Sequence, residues 1–205
     1  MLQVLNAPVR KIPVWLVYGV GLVPGFWVYW AGFNNRLGAD PLAVIEHETG
    51  IWALRFLIAA LVVTPLLRLT RLNLIKFRRA LGLLGFYYAV MHLAAWVWLD
   101  QGFAWGAMWT EIVKRPYITI GMAAFVILVP LAATSNNAAV RRLSAASWKR
   151  IHWWGYPATL LGAVHFLLVV KAWPPEPLIY LGIVVLLLAW RAVAGGPRRA
   201  AMARA

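Results

Sequence analysis

Histidine is the residue type in this chain best suited to bind a metal or carry a proton. His92 lies within the apolar segment GLLGFYYAVMHLAAWVWL, and His165 lies within YPATLLGAVHFLLVVKAW. His152 precedes His165 by 13 residues, at the start of the second segment. An ionisable side chain inside hydrocarbon is costly, so it usually serves as a ligand, a proton carrier or a buried partner. These three histidines are therefore the first candidates for a functional site.

The composition indicates that the surrounding medium is a lipid bilayer. Of the 205 residues, 63% are hydrophobic and 13% are charged, and the mean hydropathy is +0.73. Soluble domains are less apolar, with about 25% charged residues. The net charge of +14 does not indicate a nucleic-acid partner, because the basic residues cluster between apolar runs. We therefore expect an integral membrane protein whose surroundings are membrane lipid.

The apolar segments predict an all-α protein. A helix needs roughly 20 apolar residues to cross a hydrocarbon core about 30 Å thick, and backbone groups in lipid must be paired within the protein. We predict a single transmembrane domain over residues 1–205, an integral membrane six-helix bundle ending in a basic tail at 195–205. The predicted spans are about 13–33, 51–69, 80–98, 117–134, 152–173 and 177–194. The first is interpreted as a helix rather than a cleaved signal peptide, because no small-residue cleavage site follows it.

The distribution of lysine and arginine predicts the orientation. The N-terminus, the loops after spans two and four, and the C-terminal end together carry 15 basic residues, whereas the opposite side carries four. Basic loops stay in the cytoplasm. Both termini are therefore predicted to be cytoplasmic.

This orientation places two histidines at one depth. His92 lies about 12 residues from the cytoplasmic end of span three, roughly 18 Å, and His165 lies 13 residues into span five, roughly 20 Å. Both reach the outer half of the bilayer, where two facing imidazoles suit the axial positions of a b-type heme. The absence of cysteine excludes covalent attachment through C-x-x-C-H. The alternative is that each histidine only hydrogen-bonds a neighbouring helix.

His152 lies at the cytoplasmic edge, where its role is open. The position 13 residues before His92 is Arg79 rather than a second histidine. An inner heme would therefore lack an evident second axial ligand. The alternatives are an inner heme held by one histidine, a flavin held by Arg78 and Arg79, or a histidine without a ligand.

Two further features lie toward the outer side. Arg55 is four residues into span two, so it could pair with heme propionates, snorkel to the surface or pack between helices. The segment ADPLAVIEHETG, which contains His47, is interpreted as a polar loop outside the membrane. No Asp or Glu is then expected within the spans, which disfavours a proton-coupled carrier.

Several stretches resemble the MsrQ (YedZ) family, the heme-binding membrane subunits of the periplasmic protein-methionine-sulfoxide reductase system. The similarity covers nearly the whole chain and keeps the order and spacing of the spans. The similar stretches are LGADPLAVIEHETGIWALRFL (37–57), RRALGLLGFYYAVMHL (78–93), KRPYITIG (114–121), RRLSAASWKRIHWWGY (141–156) and EPLIYLGIVVLLLAWR (176–191).

This resemblance implies a ferric-reductase-like bundle in the bacterial inner membrane with heme ligands at His92, His152 and His165. It also implies an association with FMN, although no motif here identifies an FMN site. The implied role is an electron-transfer subunit rather than the catalytic one. Electrons would come from the quinone pool or a cytoplasmic flavin reductase and would pass to a periplasmic molybdopterin-containing methionine-sulfoxide reductase subunit.

Two other functions compete with this one. The first is a b-type cytochrome with another acceptor, such as ferric iron or oxygen. The second is a histidine-based proton-coupled carrier. A reduced-minus-oxidised spectrum separates them, because only the electron-transfer functions require heme bands.

Overall fold

The computed structural model describes residues 2–170 and 174–202, and within these ranges every regular element is helical. Ten α-helices follow one another, with a short 3-10 turn (Ile75–Phe77) before α4 and a π-helical segment (Ala95–Asp100) after it. The helices are α1 Leu2–Lys11, α2 Val14–Phe33, α3 Pro41–Thr70, α4 Arg78–Ala94, α5 Trp105–Lys114, α6 Pro116–Ala133, α7 Asn137–Arg142, α8 Ala145–Trp153, α9 Gly155–Val169 and α10 Pro175–Met202.

Five helical stretches of the described residues are long and apolar enough to cross a membrane: Val14–Phe33, Pro41–Thr70, Ile75–Asp100, Pro116–Ala133 and Pro175–Ala194. The all-α class is therefore confirmed. The predicted span 152–173 corresponds to the end of α8 and to α9, whose 15 residues extend about 22 Å at 1.5 Å per residue. Residues 171–173, with the predicted outer-side Lys171, lie outside the described residues. The count of six spans stays a prediction.

The second membrane helix begins ten residues earlier than predicted, and the interpretation of ADPLAVIEHETG as a loop is wrong. Helix α3 starts at Pro41, and the Asp40 carboxylate accepts a hydrogen bond from the Ala43 N–H at 3.0 Å. Aspartate at the N-cap followed by proline at the first helical position is a helix start signal. The polar residues that suggested a loop instead form the first turns of a 30-residue helix.

Two antiparallel helix pairs form the frame of the bundle. In the first pair, Gly85 of α4 lies against Leu57 of α3. In the second pair, Gly155 at the start of α9 lies near Leu131 of α6. A buried cluster of Leu54, Ile58, Ala163 and Val184 joins α3, α9 and α10, which brings the two pairs together.

One end of the bundle, here called the basic end, collects the chain segments rich in lysine and arginine. Asn6 of α1 hydrogen-bonds the carbonyl of Arg71 and the N–H of Asn73, in the turn after α3. Lys76 donates to the carbonyl of Arg10 at 2.9 Å. The first helix therefore lies beside the α3–α4 turn.

Helix α10 reaches the same end. The Arg68 guanidinium lies over the Trp190 ring, 5.5 Å from the ring centre, which is within the range of a cation–π contact. α10 continues to Met202 and so includes most of the predicted tail, while 203–205 lie outside the described residues. The two chain ends thus share one end of the bundle, and its cytoplasmic placement stays a prediction.

Tyr88 repairs an interruption in α2. This helix contains Pro24. The Tyr88 hydroxyl accepts a hydrogen bond from the Gly25 N–H at 2.8 Å and donates to the Gly21 carbonyl at 2.7 Å. The ring is fully buried, and insertion of a polar group into the backbone ladder is a known source of helix bending. Tyr29 adds a second tie by donating to the Met91 carbonyl at 2.6 Å.

Candidate functional site

His92 and His165 lie side by side in the interior of the bundle. His92 projects from α4 and His165 from α9, and their ring centres are 6.1 Å apart with an angle of 76° between the ring planes. The structure therefore brings together the two histidines that were predicted to share one depth. Their role as metal ligands is a separate matter that depends on which ring nitrogens are available.

Each ring is held by a carbonyl of the neighbouring helix. Nδ1 of His92 lies 2.9 Å from the Glu46 carbonyl oxygen of α3, and Nδ1 of His165 lies 2.7 Å from the Tyr117 carbonyl oxygen of α6. A carbonyl oxygen only accepts, so Nδ1 of each neutral ring is the donor and Nε2 keeps its lone pair. No hydrogen bond to either Nε2 is found within the described residues. Histidines that bind metals are usually oriented in this way.

The separation of the two rings fits a single iron between them. A metal–imidazole bond of about 2 Å on each side, with about 1 Å from each nitrogen to its ring centre, needs ring centres about 6 Å apart. The observed value is 6.1 Å. Within the described residues no group of three or more His, Cys, Asp or Glu could hold a metal ion. Two protein ligands suit heme, because the macrocycle provides the remaining four.

His152 has a different environment, at the basic end of the bundle. Its Nδ1 lies 3.1 Å from the Trp148 carbonyl oxygen of its own helix, and its Nε2 lies 3.2 Å from the Ser135 hydroxyl. The ring also stacks on Trp148 with 3.8 Å between ring centres. Both nitrogens therefore have protein partners, and the structure does not bring this histidine together with His92 and His165.

The two arginines considered for a flavin are also at the basic end. Arg78 begins α4, and the Arg79 guanidinium donates to the Asn137 side-chain oxygen at 2.7 Å. A third arginine, Arg191 of α10, lies over the Tyr156 ring at 4.5 Å from its centre. The two places that the sequence analysis separated, one with His92 and His165 and one with His152, Arg78 and Arg79, are also separate in the structure.

Arg55 contacts α10 near the start of that helix. It is the fifteenth residue of α3, about 21 Å along the helix from Pro41 at 1.5 Å per residue. Its Nε donates to the Tyr180 hydroxyl at 2.7 Å, and its guanidinium lies over the Trp52 ring at 5.0 Å. The Arg55 side chain therefore joins α3 to α10, and its pairing with heme propionates stays a prediction.

Glu46 contradicts the expectation that the spans lack acidic residues. It lies in the second turn of α3, and its buried Oε1 has no hydrogen-bond partner within the described residues. His47, on the next position, is exposed, with Nε2 3.9 Å from the Glu176 carboxylate. The acidic side chain is thus inside the bundle and the adjacent histidine faces outward.

The backbone acceptors of the site were missed in the sequence. The carbonyls of Glu46 and Tyr117 hold the histidines, but a carbonyl is present at every residue and has no sequence signature. The one usable signal was the Asp40–Pro41 helix start, which would have placed Glu46 inside a span.

Comparison with known proteins identifies the family of the chain. The model of the family "Ferric reductase like transmembrane component" matches residues 49–163. The chain is 53% identical over 180 residues to the protein-methionine-sulfoxide reductase heme-binding subunit MsrQ of Brucella anthropi, covering 88% of this chain and 81% of that protein. It is 52% identical over 178 residues to the MsrQ of Brucella ovis, covering 87% and 80%. The chain therefore belongs to the MsrQ family of methionine-sulfoxide reductase heme-binding subunits, a multi-pass membrane family of the ferric reductase like type.

Proposed function

We propose that this chain binds a heme b between His92 and His165 and is the membrane electron-transfer subunit of a protein-methionine-sulfoxide reductase. The observation that carries the proposal is the histidine pair, with ring centres 6.1 Å apart and each Nδ1 bonded to a carbonyl of another helix. The relatives in Brucella are named as heme-binding subunits of this reductase. The names of the relatives support heme as the bound group, and the geometry supports His92 and His165 as its ligands.

The chain's own contribution is to hold and orient the two ligands. Hydrogen bonds from Nδ1 to the Glu46 and Tyr117 carbonyls fix the tautomer and leave the Nε2 lone pair of each ring for the iron. The absence of cysteine means that binding is non-covalent. When bound, the heme supplies a one-electron redox centre within the membrane. The apolar helices around it exclude water.

For electron transfer across the membrane, we propose a donor at the basic end and an acceptor at the opposite end. The donor would be the quinone pool or a cytoplasmic flavin reductase, and the acceptor a periplasmic molybdopterin-containing catalytic subunit. The clustering of basic loops at one end supports its placement in the cytoplasm of a bacterium, with the chain in the inner membrane.

FMN and a second heme are further proposals for the basic end. The guanidinium groups of Arg78 and Arg79 would suit the phosphate of FMN, while His152 would suit a heme iron only after giving up its contact with Ser135. The present contacts of His152 favour a single heme at His92 and His165, here called the outer pair after their predicted level. FMN would then be an optional group.

The test is a reduced-minus-oxidised absorption spectrum of the purified protein. We expect the bands of a low-spin b-type heme. A well-folded preparation that shows no heme bands after reconstitution with hemin contradicts the proposal.

A second experiment tests the orientation. Because the chain has no cysteine, single substitutions Asp100→Cys and Arg142→Cys give unambiguous sites for a membrane-impermeant thiol reagent. We expect labelling of position 100 from the periplasm and of position 142 only after the membrane is opened. The reverse pattern would overturn both the orientation and the direction of electron flow.

The family match also favours a second candidate, a b-type cytochrome that reduces ferric iron or another acceptor. Co-purification separates the two: the main proposal requires that a methionine-sulfoxide reductase subunit binds the chain and receives its electrons. Rapid reoxidation by ferric iron but not by that subunit would support the alternative. A proton-coupled carrier remains the weaker third possibility, which heme bands would exclude.

A further inference from the structure

The two histidine-binding helices share a local pattern. On α3 the acceptor carbonyl belongs to Glu46 and a glycine, Gly50, follows four residues later. On α6 the acceptor carbonyl belongs to Tyr117 and a glycine, Gly121, again follows four residues later. The same arrangement therefore occurs once for each histidine, on two helices that show no other sequence similarity at these positions.

Helix geometry explains the spacing of four. The carbonyl of residue i points along the axis toward residue i+4, whose N–H it accepts. A side chain at i+4 lies beside that carbonyl and limits access from the same face. With glycine at this position, an imidazole from the neighbouring helix can approach and form a second hydrogen bond to the carbonyl.

The distances show how closely the rings use this space. A Cβ placed on Gly121 would lie 2.8 Å from Nδ1 and 2.9 Å from Cε1 of His165. A Cβ placed on Gly50 would lie 3.1 Å from Nδ1 and 3.2 Å from Cε1 of His92. All four distances are shorter than ordinary van der Waals contacts of a Cβ atom. The imidazole ring would have to move away, and this movement would lengthen the hydrogen bond between Nδ1 and the carbonyl.

We propose that Gly50 and Gly121 are positioning residues for the heme ligands, each forming a notch that admits an imidazole to the carbonyl four residues earlier. Gly121 is the more demanding notch, because the contact there is closer. The proposal rests on heme binding at His92 and His165. Its consequence is that the backbone of α3 and α6, and not a polar side chain, sets the position of both rings.

The experiment compares Gly121→Ala and Gly50→Ala with two glycine controls. Gly82→Ala lies on α4 with no atom within 4 Å of the added methyl group. Gly32→Ala is crowded, with 2.6 Å to Cδ1 of Ile45, but touches no histidine. Alanine favours a helix more than glycine does, so the substitutions by themselves do not weaken the helices. Folding is followed by circular dichroism and size-exclusion chromatography.

The measurements are the dissociation constant for hemin, the heme midpoint potential, and the low-spin EPR signal, which depends on the angle between the imidazole planes. We expect hemin binding to Gly121→Ala to weaken by about 10- to 100-fold, as for other groups that orient metal ligands. The heme that remains should show a shifted EPR signal and a higher potential, because a weaker Nδ1–H bond makes the imidazole a poorer donor. Gly50→Ala should change in the same direction by less, and both controls should match the unaltered protein.

Three results would overturn the proposal. The first is unaltered hemin affinity, potential and EPR signal in a folded Gly121→Ala protein. The second is an equal change in Gly32→Ala, which would indicate general packing. If Gly121→Ala does not fold, Gly50→Ala decides, and an unchanged signal there is the third. Failure of the unaltered protein to bind hemin would instead refute the proposed function, so the two failures are distinct.

Discussion

The outer histidine pair and the histidine at the basic end differ in where their ring nitrogens find partners. Nδ1 of His92 and of His165 bonds a carbonyl on another helix, whereas Nδ1 of His152 lies by a carbonyl of its own helix and Nε2 by Ser135. All three are partly buried. Burial therefore does not distinguish the three histidines, but their hydrogen-bond partners do.

The comparison also shows how a helical protein prepares a metal ligand. A bond to a second helix fixes both the ring and the distance between the helices, and it leaves the other nitrogen without a hydrogen bond among the described residues. A bond within one helix fixes only the local rotamer, and the remaining nitrogen finds a nearby hydroxyl. The outer pair is thus preorganised, while ligation by His152 would require the loss of an existing contact.

The largest expected effect comes from removing either member of the outer pair. His92→Ala and His165→Ala should each abolish the low-spin heme spectrum, because one axial ligand does not support six-coordinate iron. His47→Ala is the matched control, since His47 is exposed on the first turns of α3. The heme content per folded protein, measured by pyridine hemochrome, checks the result. Equal loss of heme in all three variants would contradict the assignment of His92 and His165 as the ligands.

A smaller effect is expected from His152→Ala. If His152 is held by Ser135 and its own helix, the variant should keep the outer heme with its spectrum and potential. Spectral titration during stepwise reduction measures this directly. Complete loss of heme would place His152 among the essential ligands and would end the distinction between the two regions.

A change in potential without loss of heme is expected from Arg55→Gln. A positive charge favours the reduced heme, so its removal should lower the midpoint potential. The corresponding loss in the free energy of one-electron reduction is about 1–2 kcal/mol for a separation on the order of 10 Å at an effective dielectric constant near 20. Tyr180→Phe keeps the charge and removes only the hydroxyl that accepts the Arg55 hydrogen bond. It should therefore shift the potential less. An unchanged potential in Arg55→Gln would show that the arginine is remote from the heme.

The smallest effect on heme is expected from Tyr88→Phe. This change leaves the Gly25 N–H and the Gly21 carbonyl without their shared partner, which should cost about 1–3 kcal/mol of stability. Thermal unfolding of the reconstituted protein measures the loss, with Tyr87→Phe as the control because Tyr87 is exposed. Equal melting temperatures for the two variants would contradict the proposed role of the hydroxyl.

Much of the fold follows from hydropathy, because each long apolar run must be a helix in lipid. The predicted span 117–134 differs by one residue at each end from Pro116–Ala133. The start of α3 was missed because hydropathy falls where polar residues occupy the exposed and buried faces of a helix end. Short helices such as α5 and α7 were also not predicted. They are too short to cross a membrane, and their polar residues prevent them from forming continuous apolar runs.

The histidine pair could be predicted from depth alone, because orientation and a rise of 1.5 Å per residue fix the level of a residue in a span. The contacts that distinguish the pair from His152 could not. They involve carbonyls at Glu46 and Tyr117 and a hydroxyl at Ser135, which depend on how neighbouring helices are rotated. The contacts of Arg55 with Tyr180 and Trp52 could not be predicted for a related reason, because they depend on how α10 packs against α3.

The hydrogen bonds of Tyr88 set the position of α2 along α4, so the two helices cannot shift past one another gradually. Its hydroxyl fits one gap in the α2 backbone, and Tyr29 holds the next turn to Met91, so a shift of either helix along its axis would have to break both links together. His92 lies one turn beyond Tyr88 on the same face of α4. An insertion or deletion in α2 between Gly25 and Tyr29 would change the spacing of these two contact points, so that keeping either link would shift His92 along the bundle axis relative to α2.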